Sequence, residues 1–398
     1  MDNPLVKLVP KLFGEYPKPF NDLIDNVSLH PKQNLNDTRE ILWRAYEFGE
    51  RHHDGQKRLS GQPYFSHCVA VANTLASWKM DITTIIAGLL HDTLEDTDAT
   101  IEEINNNFGD DLGNLVHGLT KISGITYSTR KEKQADNFMK MLLSVAKDLR
   151  VIIVKFADRI HNMETIKYMP RIKGHRIAIE TRDIYVPLAH RLGMSSVKSQ
   201  FEDLVFRVLN PTGYRDMDSK IKSSKSHRNK MINKVIKPVE TELNKYKIYP
   251  EIYGRAKSYA SIYGKMMQRD KNFDEIYDLY AIRVLVEKIE DCYLALGIIH
   301  SIYNPLQNRF KDFIATPKSN GYQSVHTTVI ALNGQKIEIQ IRTKEMEETA
   351  EIGIAAHWKY KNSKPSGIDK NVKWLRDLLE ILQNESTDPK EFMDLLKI

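Results

Sequence analysis

Residues 91–97, HDTLEDT, put one imidazole and three acids directly after the apolar run IIAGLL. If the helix continues through them, His91 and Glu95 share one face, and Asp92 and Asp96 share another, because residues four apart stack one turn above the other. Carboxylates gathered at the end of an inward-running helix repel one another, and burying them without partners costs roughly several kcal/mol. A cation is the simplest partner. For the outer acids there is an alternative, in which EDTDATIEE caps the next helix with Asp96 or Asp98 near its N-terminus. One helix cannot complete a coordination sphere, so further ligands must come from elsewhere. His67, in GQPYFSHCVAV, stands where a helix begins, and Asp158, in KFADRIHNM, lies on an apolar helix that gives an ionised acid no other reason to be there. A lone histidine on such a helix is ordinarily a core residue. Together, two His and two Asp suit a first-row divalent ion with positions open to water, Mn or Fe more than a closed structural Zn site.

A second group of residues suits phosphate. GRAKSYASIYGKM spaces Arg255, Lys257, Ser261 and Lys265 so that, from 257 onward, a helix would carry two cations and a hydroxyl on one face. A solvated amphipathic helix reads the same way. In KIEIQIRT, Ile337, Ile339 and Ile341 alternate with Glu338, Gln340 and Arg342, which predicts a strand with one buried and one polar face. RFKDFIATPKSNGYQSVHTTV gathers Arg309, Lys311, Lys318, Tyr322 and His326 around an NG turn, with cations for phosphates and an aromatic ring for a base. No G-x-x-x-x-G-K-[ST] pattern occurs, which excludes a P-loop NTPase as a motif reading.

The elements that must hold these residues differ along the chain. From 37 to 200 apolar residues recur at three and four spacing, in DTREILWRAYEFGERHH, YFSHCVAVANTLASW, DITTIIAGLLHDTLED, TIEEINNNFGDDLGNLVHGLT and KQADNFMKMLLSVAKD. VIIVKFADRIHNMETI is rich in β-branched residues, but its apolar positions 152, 153, 156, 160 and 163 predict a helix. After a charged helical connector at 201–245 the period becomes two in YDLYAIRVLVE and QKIEIQIRT, and SVHTTVIAL is β-branched. The fold class is therefore α+β: an all-helical domain over 1–200, the connector, a mixed-sheet domain over 246–362 and a helical segment over 363–398. NVKWLRDLLEILQNES reads as an amphipathic helix, and DPKEFMDLLKI ends without a capping signal, as a fragment would.

Composition narrows the classes. With 398 residues, 41% hydrophobic and 28% charged, the chain is long enough for two or three domains and has no apolar run near the roughly 20 residues of a membrane span. Two cysteines, Cys68 and Cys292, are no disulfide framework, and the N-terminus has no secretory pattern, so a cytoplasmic protein is expected. The net charge of +6 permits phosphate ligands without requiring nucleic acid. Ser219–Lys237 carries seven Lys or Arg and no acid, which reads as a solvated connector or an RNA-facing helix.

His67, the His91–Asp92 pair and Asp158 resemble the metal ligands of the HD phosphohydrolase superfamily. HDTLEDT followed by KFADRIHNM and LAHRLG resembles more closely the hydrolase domain of the long Rel/Spo (RelA/SpoT homologue) enzymes, which make and degrade the alarmone (p)ppGpp. The resemblance implies an HD-type domain whose Mn2+ polarises the 3′-pyrophosphate and activates water, with Glu95 and Asp96 organising that water and its proton. It also implies that Arg58 clamps or stacks on the nucleotide and that Asn162 and Thr165 contact base or ribose. Where the family has R-K-S-G-E-P-Y, this chain has RLSGQPY: Leu59 replaces a cation and Gln62 an acid.

The R-x-K-x-x-x-S element, IYDLYAIR, PKSNGYQSVHT and EIQIRT resemble, in order, the (p)ppGpp synthetase domain, a relative of the nucleotidyltransferase fold. That implies transfer of pyrophosphate from ATP to the 3′-hydroxyl of GDP or GTP. Asp278 would hold Mg2+, and Glu338 would take the hydroxyl proton and share the metal. Arg255 and Arg283 would sandwich adenine, with Lys257, Ser261 and Lys265 on the ATP phosphates. Tyr322 would stack on guanine beside Lys318, Asn320 and His326, with Arg309, Lys311 and Gln340 also in the substrate site. Asp278 and Arg283 are five apart, so on a straight strand they face opposite sides. RFKD resembles the basic form found in bifunctional members and, with the unbroken His-Asp set, implies that both reactions are retained. Running both at once would waste ATP, so the connector is expected to let a nucleotide in one site disfavour the competent state of the other. The implied ligands are ATP, GDP/GTP and (p)ppGpp, with no membrane, and with ribosome or tRNA contact left to C-terminal regions beyond this sequence. The rival readings are a synthetase with a regulatory helical domain and an RNA-binding module built on the basic segment.

Overall fold

The structure is a computed structural model and describes residues 16–27, 34–120, 147–270, 272–273, 280–318, 320–331, 334–353 and 355–356. Most of the helix expected in KQADNFMKMLLSVAKD, both C-terminal segments and Asp278 lie outside these residues. The chain divides into two compact units, one ending at Pro170 and the other beginning at Arg171. Periodicity places the domain boundary at 200, since amphipathic helices continue through 171–200 without any change of pattern, whereas the division between the two units falls after Pro170.

In the first unit, helices span Lys18–Asn26, Leu35–His52, Phe65–Ser77, Ile82–Leu90, Ile101–Phe108, Asp110–Leu119 and Arg150–Glu164. Their starts follow local chemistry. Asn34 accepts from the Asn36 amide, Asp81 accepts from Thr84 at 3.0 Å, and Thr100 with Glu103 forms a capping box. Gly109, at φ 88°, breaks what the sequence presents as one segment into the helices 101–108 and 110–119. Ile82–Leu90 is apolar all round, and its residues from Thr84 on are all buried. It runs so close to Phe65–Ser77 that a Cβ at Gly88 would meet Leu75 Cδ1 at 2.5 Å and Ala72 Cα at 3.3 Å. Two helices thus deliver His67 and His91 to one place, and the buried face of Arg150–Glu164, with Ile153, Val154, Phe156, Ala157 and Ile160, brings a third.

The second unit begins with the helices Arg171–Glu180, Val186–Arg191 and Ser195–Leu209, followed by one 35-residue helix, Pro211–Lys245. On that helix Lys220 pairs with Asp216 and Lys222 with Asp218, each at 2.8 Å, so these basic residues have acidic neighbours one turn away. The sheet contains β1 Glu251–Ala256, β2 Tyr280–Val286, β3 Asn304–Pro305, β4 Lys311–Asp312, β5 Val325–Ile330 and β6 Lys336–Thr343. Its order is β1-β2-β6-β5-β3 with β4 on β5, and β2 runs parallel to β6 while the other pairs are antiparallel. Period-two alternation sets its faces. Ile282, Val284, Val325, Val329, Ile339 and Ile341 pack against Val235, Val239 and Leu243 of the long helix and Cys292, Ala295 and Ile299 of the helix Ile289–Ile302. The register pairs Arg283 with Gln340 and Gln340 with His326, so the opposite face is polar.

Candidate functional site

Two polar clusters emerge, one in each unit. In the first, His67 Nε2 lies 3.1 Å from Asp158 Oδ1, and His91 Nε2 lies 3.1 Å from Asp92 Oδ2. The crossed distances, His67 to Asp92 and His91 to Asp158, are both 3.8 Å. One ligand atom from each of His67, His91 and Asp158 falls within 4.8 Å of the others. The other ring nitrogens are engaged: His67 Nδ1 lies 2.7 Å from His161 Nδ1, and His91 Nδ1 lies 2.9 Å from the Gly88 carbonyl. This turns both Nε2 atoms toward the carboxylates.

Burial and charge oppose each other here. Burial lowers the pKa of His67. It also works against charge on His91, but the Asp92 carboxylate more than offsets it and holds the imidazole well above its ordinary value. Asp92 is correspondingly held well below the carboxylate range despite burial, and Asp158 is lowered by the His67 hydrogen bond and the His91 charge. The His91 ring thus stands between two half-buried carboxylates that favour positive charge at this point. Yet His91 Nε2 is buried without a well-directed hydrogen bond. An orphaned ring nitrogen facing two carboxylates and a second imidazole fits a divalent cation, which would displace that proton.

Around this core lies a layer in which the motifs pointed to Arg58, Asn162, Thr165, Glu95 and Asp96 but not to Tyr64 or His161. Tyr64 Oη reaches Asp92 Oδ2 at 2.9 Å and Asp96 Oδ2 at 2.7 Å, so its hydroxyl sits between two carboxylates that would otherwise repel. Burial and both carboxylates raise its pKa. His161, three residues after Asp158, backs His67, and burial with the neighbouring His67 lowers it to about 4. That spacing, one helical turn from an already suspected acid, was the available signal. Arg58 donates to Asn162 Oδ1 at 2.7 Å, and Asn162 donates to Asp158 Oδ1 at 2.5 Å. The Thr165 hydroxyl turns back to the His161 carbonyl at 2.8 Å and ends the helix. Glu95 is half-buried, and Leu59 is 66% exposed. The cap of Ile101–Phe108 is Thr100; Asp98 instead meets His52 at 3.2 Å and Asp96 meets Tyr64, which corrects the capping alternative.

In the second unit the helical expectation for Lys257 fails. β1 continues to Ala256 and the helix starts at Tyr259, with Ser258 as its N-cap. Lys257 therefore lies in the turn, and only Ser261 and Lys265 share a helical face. The Asp203 carboxylate adds a second cap by accepting from Ala260 N at 2.8 Å, and burial raises its pKa. Lys257 reaches Glu338 at 3.5 Å, His326 Nδ1 lies 3.6 Å from Glu338, and Gln340 donates to Glu338 Oε1 at 2.8 Å. Burial lowers His326 to about 4, and its Nε2 meets Tyr322 Oη at 2.7 Å. Lys318 Nζ lies 5.2 Å from the Tyr322 ring centre, and the Arg342 guanidinium 5.5 Å from it. Asn320 is occupied structurally, its amide donating to the His190 carbonyl at 3.2 Å. Arg309 and Lys311 are exposed nearby in sequence.

Arg283 departs most from its expected place. It is 3% exposed, with Nη1 at 2.5 Å from Glu347 and 2.6 Å from Glu351, so here it is an ion-pair member and presents no open face to a base. Arg255, at 3.7 Å from Glu351, joins the same group from the register-adjacent strand.

A family model described as "HD domain" matches residues 45–195, and one described as "Region found in RelA / SpoT proteins" matches 254–365. The chain is 44% identical over 374 residues to the GTP pyrophosphokinase of Myxococcus xanthus, covering 93% of this chain and 49% of that protein. It is 45% identical to the guanosine-3′,5′-bis(diphosphate) 3′-pyrophosphohydrolase of Spiroplasma citri, with 92% and 48% covered. Against the bifunctional (p)ppGpp synthase/hydrolase SpoT of Escherichia coli K12 identity is 42%, with 89% and 51% covered. The chain thus spans about half the length of the curated relatives it matches. With both models matched in this order along one chain, it belongs to the RelA/SpoT family, carrying an HD domain ahead of the RelA/SpoT region.

Proposed function

We propose that the chain catalyses two opposed reactions: hydrolysis of (p)ppGpp to GDP or GTP and pyrophosphate in the first unit, and transfer of pyrophosphate from ATP to the 3′-hydroxyl of GDP or GTP in the second. The observation that carries this reading is the pairing of two chemically different clusters with the two matched families. The first has carboxylates and neutralisable imidazoles around one point. The second has a carboxylate set among cations and an aromatic ring.

For hydrolysis, His67, His91, Asp92 and Asp158 would hold Mn2+, which when bound supplies polarisation of the 3′-pyrophosphate and lowers the pKa of water toward neutrality. Asp96, held by Tyr64, and Glu95 accept the proton of the attacking water. Arg58, anchored through Asn162, presents positive charge beside the same carboxylates. The bond between the 3′-oxygen and pyrophosphate breaks, and the nucleotide leaves with its 3′-hydroxyl restored.

For synthesis, pyrophosphoryl transfer needs positioning and cations more than covalent work by the protein. Lys257 and Lys265 bind the ATP phosphates with Ser261, and Glu338 takes the proton of the 3′-hydroxyl as it attacks and AMP departs. Glu338 and Asp278 would share Mg2+, of which the described residues supply Glu338. Tyr322, with Lys318 against its ring, offers a stacking surface for guanine. An enzyme on these substrates works in the cytoplasm, and among the described residues no helix is long and apolar enough to cross a membrane.

One observation favours a second reading: Leu59 stands exposed at the position where the family's R-K-S-G-E-P-Y pattern would place a cation, leaving Arg58 to clamp alone. A synthetase with a regulatory first unit would follow. Incubation with ATP, GDP and Mg2+, and separately with ppGpp and Mn2+, with products resolved by ion exchange, decides. Both products appear under the main reading, and only ppGpp synthesis under the second. If neither nucleotide is altered, both readings fall.

A further inference from the structure

Glu347 lies on the helix Lys344–Ile352, outside the motif residues, yet three polar-face side chains end on it. Arg283 Nη1 lies 2.5 Å and Tyr253 Oη 2.8 Å from its Oε1, and Arg342 Nε forms an ion pair with Oε2 at 2.7 Å that is not directed as a hydrogen bond. Arg342 is fully buried; its Nη2 donates to Gln340 Oε1 at 3.2 Å, and the other end of that amide, Nε2, donates to Glu338 Oε1 at 2.8 Å. An amide can turn either its oxygen or its nitrogen toward a neighbour. Toward Glu338 the nitrogen attracts a carboxylate and the oxygen repels it. What fixes the choice is the Arg342 guanidinium, which can only donate, and what fixes Arg342 is Glu347.

We propose that Glu347 is a positioning residue for pyrophosphoryl transfer, acting through Arg342 and the Gln340 amide to hold the Glu338 carboxylate. This rests on the synthetase reading of Glu338. Glu351 provides the contrast, since it meets Arg283 and Arg255 but does not continue the chain to Gln340. Loss of Glu351 should therefore change how ATP binds and leave the proton-accepting step in place.

The test is steady-state synthesis from ATP and GDP with Mg2+ by the whole chain, for wild type, Glu347→Gln, Gln340→Leu, the double variant and Glu351→Gln. Misplacing a reacting group by about 1 Å can cost about 10²-fold, so Glu347→Gln should lower kcat about 10- to 100-fold with a smaller change in KM. Gln340 and Glu347 act on Glu338 through one chain, so the double variant should be no slower than the slower single. Glu351→Gln should raise KM for ATP with kcat within about twofold of wild type. Circular dichroism and melting confirm folding; if Glu347→Gln does not fold, Arg342→Lys, which keeps the charge and loses the bridge, should give the same kcat loss. A folded Glu347→Gln with wild-type kcat, or single losses that multiply in the double variant, overturns the inference. Wild-type protein that makes no product overturns the synthetase reading itself.

Discussion

The two clusters neutralise charge in opposite ways. In the first unit, acids stand around buried imidazoles, and the group set between them is His91, whose ring can carry a proton or give it up. In the second, three guanidiniums, Arg255, Arg283 and Arg342, surround Glu347 and Glu351, and this charge is permanent. A cluster whose cation is a proton can exchange it for a metal. A cluster whose cations are fixed can only rearrange its ion pairs, so it suits an anionic ligand that competes for the guanidiniums. The contrast gives the two proposed reactions, one metal-dependent and one phosphate-binding, chemically separate places on one chain.

This contrast can be broken most severely at the metal cluster. His67→Ala removes one candidate ligand and the polarisation that depends on it, which is of order several kcal/mol, so ppGpp hydrolysis should fall by about 10³-fold or more while synthesis persists. Retained Mn2+ binding by calorimetry, with unchanged hydrolysis, would remove His67 from the site. Removing metal with a chelator should abolish hydrolysis and Mn2+ should restore it. His161→Ala tests the outer layer: losing a group that orients a ligand costs about 10- to 100-fold in metal affinity, read as a weaker Mn2+ activation constant with kcat recovered at saturating metal. An unchanged constant would make His161 ordinary packing.

The smallest effect belongs to Asp203, which in the second unit caps the helix Tyr259–Arg269. Asp203→Ala should cost about 1 kcal/mol, the usual value of an N-cap, seen as a lower midpoint in urea. Because Ser258 also caps this helix, a loss well beyond that would mean that Asp203 carries more than a cap.

How much of this could be read beforehand depended on whether the partners were close in sequence. The alternation in KIEIQIRT fixed strand faces unaided, and the apolar run before His91 correctly pointed into a core. The convergence of His67, His91, Asp92 and Asp158 could be anticipated only as a pattern of residue types. Lys257 was assigned to a helix because a four-residue spacing continues through it, although Ser258 just before an apolar stretch was an N-cap signal. Arg283 could not have been foreseen in an ion-pair cluster, since Glu347 lies 64 positions away and on another element. Tyr64 was passed over because a tyrosine before a helix is unremarkable until two acids, 28 and 32 residues later, are seen to share its hydroxyl.

The central claim is that each cluster carries one reaction and neither carries both. It is tested most directly by crossed assays of two near-isosteric variants, Asp158→Asn and Glu338→Gln, for ppGpp hydrolysis with Mn2+ and for synthesis from ATP and GDP with Mg2+. The account predicts that Asp158→Asn loses hydrolysis and keeps synthesis, and that Glu338→Gln does the reverse, with synthesis down by about 10²- to 10⁴-fold as for loss of a general base. Both variants losing the same activity, or each losing both while remaining folded, would contradict it.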